Sequence, residues 1–288
     1  MIKIRCINNQ QTITVKQGLT LLEVYKTMGL NLAYKPLCAT INNKAKCLNA
    51  KLYDNADIQY FDITSPLGKK NYLLGLFFIL TKAVDELYPN SKVEINNSIS
   101  KGTYCQIHIG RVLTDDDITA INGRVQAIID SAIPFERHKE PTDSVIALME
   151  QQGRKDLSRL LKSTGELYTT YYTLNNYADF FFGTLPPDTS YIYLYGIEKY
   201  GNGVLLRIPD SKNPSQLREK TNQEKMFNIF SEFHSWQNIL GISTLGDLNL
   251  ATTSGLTGIS LPNSNVAWQA LLAAIFSITR ALLPFLPG

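Results

Sequence analysis

Residues 71–89 read NYLLGLFFILTKAVDELYP, apolar without a break from Tyr72 to Leu80, and the stretch stops at Pro89-Asn90. Proline cannot continue a helix, so the run predicts one long helix ending at Tyr88. Leu74 and Phe78 lie one helical turn apart and share a face. A second apolar segment, NYADFFFGTLPP at 176–187, places Phe180, Phe181 and Phe182 in succession and closes on two prolines. Leu74 and Phe78 on the first segment, like Phe181 and Leu185 on the second, offer none of the imidazole, thiolate or carboxylate that a divalent metal or an activated water requires.

Upstream of the helix, Ser65-Pro66-Leu67-Gly68 reads as a linker, and residues 1–62 form a unit of their own. MIKIRCI and TITVKQG alternate as a hairpin around NNQQ. TLLEVYKTMGL has helical spacing with Thr20 as N-cap and Gly29 near its end. CATINNKAKCLNA gives two short strands around Asn42-Asn43, and ADIQYFDIT a last one. Downstream, SKVEINNSISKGTYCQIHIG supplies two strands, and TDDDITAINGRVQAIIDSAI a helix capped by Thr114. Its acids Asp115, Asp116 and Asp117 complement the helix dipole more simply than they bind magnesium. A strand and two amphipathic helices follow from Pro134 to Ser163, then closing strands in YIYLYGIEKYGNGVLLRIP. The fold class predicted is α+β.

The 288 residues suffice for two or three domains, and the composition, 44% hydrophobic and 18% charged, is that of a globular protein. A net charge of +3 does not by itself argue for a nucleic-acid partner. Its distribution is uneven: residues 1–70 hold ten Lys or Arg against four acids, which leaves the rest near −3. A basic N-terminal module suits a polyanion, and a solvated lysine-rich surface explains the same charges. The cysteines Cys6, Cys38, Cys47 and Cys105 lack C-x-x-C spacing, and no secretory signal opens the chain. Free buried thiols and a cytoplasmic location are expected. Cys105 and His108 lie three apart on a strand, so they face opposite sides and do not share a metal ion.

The segments 1–62, LYPNS, KGTYC, LTDDDITAI, IPFERH and IALMEQQGRKDLSRLL resemble, in the same order, the N-terminal region of threonyl-tRNA synthetases. Residues 1–64 resemble the TGS β-grasp module, and residues 65–222 the synthetase's editing domain. The editing family carries H-x-x-x-H on the long helix and C-x-x-x-H in the second segment. The resemblance places Leu74 and Phe78 at the histidine positions, Phe181 at the cysteine and Leu185 at the last histidine. It therefore implies a domain whose metal ligands have been replaced by hydrocarbon. No metal and no cofactor are expected, and hydrolytic editing is disfavoured.

Residues 223–288 form a third, helical extension. QEKMFNIFSEFHSWQNILGISTLGDLN resembles the segment that joins this pair of domains to a nucleoside kinase domain of the uridine kinase and phosphoribulokinase type. The G-x-x-x-x-G-K-[ST] phosphate loop expected next does not follow, and the chain diverges from about residue 250. Val266 to Leu286 is apolar but interrupted by Gln269, Arg280 and Pro284, which favours a buried or partner-facing helix over a membrane span.

The leading expectation is a non-catalytic, ligand- or RNA-binding regulatory region. The alternative is a truncated kinase-family member whose phosphoryl transfer needs a missing domain. The partners implied are tRNA or another RNA, a small anionic nucleotide ligand, or a kinase domain. Candidate ligand contacts are Lys69 and Lys70 before the long helix, Lys101, Lys199 and Arg207 flanking the cleft, and His108. His138, in the charged run FERHKE, is expected to face solvent, and His234 to pack on a helix surface.

Overall fold

The computed structural model describes residues 1–221, 223 and 225–232. These form an α+β protein whose contacts divide into two units. The first unit comprises residues 1–95, 104–135 and 183–219. The second comprises residues 96–103, 136–182 and the described residues from 220 to 232. His234 and the 266–286 stretch lie outside the described residues.

The first unit opens with a five-stranded sheet. Strand β1 (Ile2–Cys6) buries Ile2, Ile4 and Cys6 and exposes Lys3 and Arg5, as its alternation requires. It pairs antiparallel with β2 (Thr12–Val15) and parallel with β5 (Ala56–Phe61). β3 (Cys38–Ile41) joins β5 and β4 (Lys44–Cys47), so the order is β2-β1-β5-β3-β4. Helix α1 (Leu21–Met28) starts in a capping box between Thr20 and Glu23 and stops at Gly29, at a left-handed φ of 60°. Its Leu21, Val24 and Met28 fill one core with Ile4, Ile58 and Tyr60. The Tyr60 hydroxyl donates to the Leu21 carbonyl at 2.7 Å, which satisfies the one polar atom that ring buries.

Helix α2 (Pro66–Leu87) follows directly, with Ser65 as N-cap accepting from the Gly68 amide. Proline at the first position fits because no intrahelical donor is needed there. Gly68 is required by crowding: a Cβ there would fall 1.8 Å from the Asp62 carbonyl oxygen. From Tyr72 to Val84 nearly every residue of α2 is buried, so the helix is a core element rather than an amphipathic surface one. It packs on α3 (Asp115–Asp130). α3 begins in a second capping box, Thr114 with Asp117. The Asp117 carboxylate also takes two hydrogen bonds from Arg111 and one from the Tyr88 hydroxyl. These donors, Arg111 foremost, hold that carboxyl far below the usual carboxylate range. Strands β6 (Lys92–Ile99), β7 (Gly102–His108), β11 (Gly196–Tyr200) and β12 (Gly203–Arg207) form a four-stranded sheet in the order β11-β12-β7-β6.

In the second unit, β8 (Glu136–Pro141), β9 (Tyr168–Leu174) and β10 (Tyr177–Asp179) form an antiparallel sheet. Helices α4 (Thr142–Gln151) and α5 (Lys155–Thr164) pack on each other, and Val145, Met149, Leu161, Tyr171 and Ala178 make the core. Register places His138 directly opposite Tyr171. His138 therefore does not simply face solvent: its ring stacks on Tyr171, with centroids 5.2 Å apart, and Nε2 lies 2.8 Å from the Thr173 hydroxyl. Among the described residues no helix is long and apolar enough to cross a membrane.

Candidate functional site

The buried face of α2 is closed by the segment 183–187 of the same unit. Asn71, 1% exposed, donates through Nδ2 to the Thr184 carbonyl at 2.8 Å. Gly75 admits Pro186, since a Cβ at residue 75 would stand 2.9 Å from the proline Cδ. A Cβ at residue 183 would stand 2.8 Å from Leu74 Cδ1, so the chain passes hard against the leucine. The segment is held from its other side as well. The Phe135 amide donates to the Pro187 carbonyl, and Thr189 exchanges hydrogen bonds with Ile133. One turn of α2 earlier, the Tyr72 hydroxyl accepts from the Tyr193 and Leu194 amides and donates to the Leu194 carbonyl.

Of the four apolar positions singled out in the sequence, three lie in this unit. Leu74 is 2% exposed, and Phe78 and Leu185 are fully buried. The Phe78 ring stacks on Phe135 with centroids 5.7 Å apart. Phe181 belongs to the second unit, where it is half-buried. No group of three or more His, Cys, Asp or Glu side chains able to hold a metal occurs among the described residues. The face thus carries packing and the four hydrogen bonds that Asn71 and Tyr72 make with the backbone of residues 184–194.

The candidate ligand contacts are scattered over distinct settings. At the start of α2, Lys69 is half-buried and its amine pKa is lowered, chiefly by burial and then by the nearby Arg218, with Asp210 acting against the shift. Burial likewise lowers Lys70. Arg207, on β12, ion-pairs through Nη2 with Glu198 and donates through Nη1 to the Arg218 carbonyl at 3.1 Å. Arg218 thus lies near both, its charge felt by Lys69 and its carbonyl bonded by Arg207, in a cationic corner of the first unit that also holds Asp210 and Glu198. Lys199 on β11 is paired instead with Asp115 at 3.2 Å. His108 is exposed at the end of β7, its Nε2 3.1 Å from a Glu94 oxygen. The His108 hydrogen bond, with Lys92 adding a second, holds the Glu94 carboxyl down to about 2. Cys105, three residues earlier, is fully buried, and its thiol is pushed up to about 12. Lys101 stands exposed in the second unit at a left-handed φ of 60°.

Arg218 carried no signal in the sequence, because its role depends on a chain return that brings it to Lys69 and Arg207 from outside any regular element. Asn71 did carry one: an amide opening an otherwise apolar helix needs a partner when buried, and Thr184 supplies it.

No family model matches the chain. The chain is 26% identical over 193 residues, 67% of its length, to a threonine–tRNA ligase of Carboxydothermus hydrogenoformans, of which the match covers 30%. It is 27% identical over 190 residues, 66% of its length, to the threonine–tRNA ligase of Clostridium kluyveri, again covering 30%. A third threonine–tRNA ligase, from Francisella tularensis subsp. holarctica, is 22% identical over 246 residues, covering 78% of this chain and 39% of that protein. The chain thus spans about a third of the length of the curated relatives it matches and is similar to part of each.

Proposed function

We propose that this chain is a non-catalytic, tRNA-related binding region, built from a TGS-like β-grasp module followed by an editing-like domain that no longer hydrolyses. The observation that carries the reading is the closed apolar face of α2. Leu74, Phe78 and Leu185 are buried, and residues 183–187 press on Leu74 and Gly75, where a hydrolytic site would need an ion or a base and an open path for water. The similarity to threonine–tRNA ligases over two thirds of the chain supports RNA as the partner. The excess of Lys and Arg in residues 1–70 supplies the charge.

The cationic corner at Lys69 and Arg218 favours a second reading, in which a small anionic nucleotide occupies that place. Burial first and then the neighbouring Arg218 lower the Lys69 amine, and an anion bound there would offset both. Residues 223–249 support a further variant, in which the region works beside a nucleoside kinase domain.

The test combines tRNA binding across a salt series with metal analysis and deacylation of aminoacyl-tRNA. Binding that weakens steeply with salt, without stoichiometric zinc and without hydrolysis, is the expected result. No binding to tRNA at low salt refutes the RNA partner. Zinc at one equivalent, or hydrolysis of the ester, refutes the non-catalytic assignment. A thermal-shift screen with nucleoside mono-, di- and triphosphates decides the second reading, since a ligand of the native state raises the midpoint.

A further inference from the structure

The cysteines Cys38 and Cys47 lie opposite one another across β3 and β4, in the register Cys38↔Cys47, Ala39↔Lys46, Thr40↔Ala45, Ile41↔Lys44. The two residues between the strands, Asn42 and Asn43, both have positive φ, 48° and 64°. That is a two-residue turn of the type that matches strand twist, and it is closed by a hydrogen-bonded pair at Ile41 and Lys44. Hydrogen-bonded and non-hydrogen-bonded pairs alternate along an antiparallel ladder. Thr40/Ala45 is therefore non-hydrogen-bonded, Ala39/Lys46 hydrogen-bonded and Cys38/Cys47 again non-hydrogen-bonded. In such pairs the Cα atoms stand about 4.5 Å apart and the side chains converge, within the span of about 4.4–6.8 Å that a disulfide bridges. Neither cysteine is in a disulfide in the structure, and Cys38 is buried while Cys47 is half-buried.

We propose that Cys38 and Cys47 form an oxidative modification site, taking a small organic disulfide such as oxidised glutathione as co-reactant and closing a cross-strand bridge. Cys47 is the entry point because it alone of the two reaches solvent. Burial pushes the Cys38 thiol up to about 12, with the neighbouring Cys47 adding to the shift, so Cys38 does not initiate. The Cys47 thiolate attacks one sulfur of the reagent, a protein–reagent disulfide forms, and one reagent thiolate leaves carrying the electron pair of the broken S–S bond. Cys38 then loses its proton to a leaving thiolate and attacks the Cys47 sulfur, releasing the second reagent thiol. Two protein thiols and one reagent disulfide thus give one cystine and two reagent thiols, with no further oxidant. The bridge ties the outermost strand, β4, to β3, which is itself paired to β5. Edge strands are where pairing is least secured, so the modification fixes the register of that edge.

The test treats the full chain with oxidised glutathione and maps peptides without reduction. Lys44 and Lys46 lie between the cysteines, so trypsin separates them unless the bridge holds them together. The expected result is loss of two hydrogens, a bridged peptide pair containing Cys38 and Cys47, an upward shift of the thermal midpoint, and reversal of both by a dithiol. Cys38→Ser should leave one stable glutathionyl adduct on Cys47, and Cys47→Ser none on Cys38. The inference is overturned by a bridge through Cys6 or Cys105, by a stable mixed disulfide in the unmodified chain, or by no reaction of the folded chain. If a serine variant does not fold, the peptide map of the unsubstituted chain decides alone.

Discussion

Phe78→Ala measures whether the face of α2 is a packed core or the wall of an open cleft. The ring is fully buried and stacks on Phe135 with centroids 5.7 Å apart and planes 28° from parallel. Removing it forfeits about 1.5–3 kcal/mol of transfer free energy for a buried phenyl group. The aromatic pair adds about 0.5–1.5 kcal/mol. A cavity contribution follows because α2 is pinned by Pro186 and the Asn71–Thr184 hydrogen bonds and cannot collapse inward. The expected loss is about 3–5 kcal/mol, the range for Phe→Ala in rigid cores. That is a large part of the roughly 5–15 kcal/mol by which domains of this kind are stable. Urea unfolding followed by far-ultraviolet circular dichroism reads the loss, with Phe182→Ala as comparison. Phe182 is 42% exposed, and its truncation is expected to cost about 1 kcal/mol or less. If Phe78→Ala costs less than about 1 kcal/mol, the residue lines an accessible cleft, and the argument for a closed, non-hydrolytic face fails.

Three further outcomes follow from particular residues. Glu94 has its carboxyl lowered from 4.5 to about 2, so its contribution to stability is present above pH 4.5 and is lost as pH falls from there to about 2. His108→Ala removes the largest cause; carbonyl NMR titration should find the Glu94 pKa raised toward its ordinary value, and an unchanged pKa contradicts the pairing. Gly68→Ala must move either α2 or the Asp62 carbonyl, which would otherwise lie 1.8 Å from the new Cβ. A loss beyond about 2 kcal/mol is expected in urea unfolding, and a neutral substitution refutes the crowding argument. If phosphates dock at the cationic corner, Lys69→Met should weaken nucleotide or RNA binding and flatten its dependence on salt, read by fluorescence anisotropy. An unaltered salt slope removes Lys69 from the contact.

Elements set by short-range rules were legible in the sequence. Thr20 with Glu23, and Thr114 followed by three acids, announce helix starts because the groups they satisfy lie within one turn. The Asn42-Asn43 turn and the proline after Tyr88 act over equally short distances. What was not legible depends on partners far along the chain. Asp117 was read as a dipole-complementing acid, yet its strongest partner is Arg111, and Tyr88 reaches it from the end of α2. His138 was read as solvent-facing because its neighbours in sequence are charged, whereas strand register sets it against Tyr171. Lys199 and Arg207, read as ligand contacts, meet Asp115 and Glu198.

The sequence alone determined that residues 72–80 of α2 are apolar throughout, that Leu74, Phe78 and Leu185 cannot ligate a metal, and that positive charge concentrates in the first 70 residues. These follow from side-chain chemistry and helical periodicity, which need no partner. Only the tertiary structure decided that the face is closed. That closure rests on Gly75 and Gly183 admitting close approach to Pro186 and Leu74, and on Asn71 finding Thr184 more than a hundred residues away. Chain return sets such contacts, and local sequence does not encode where a chain returns.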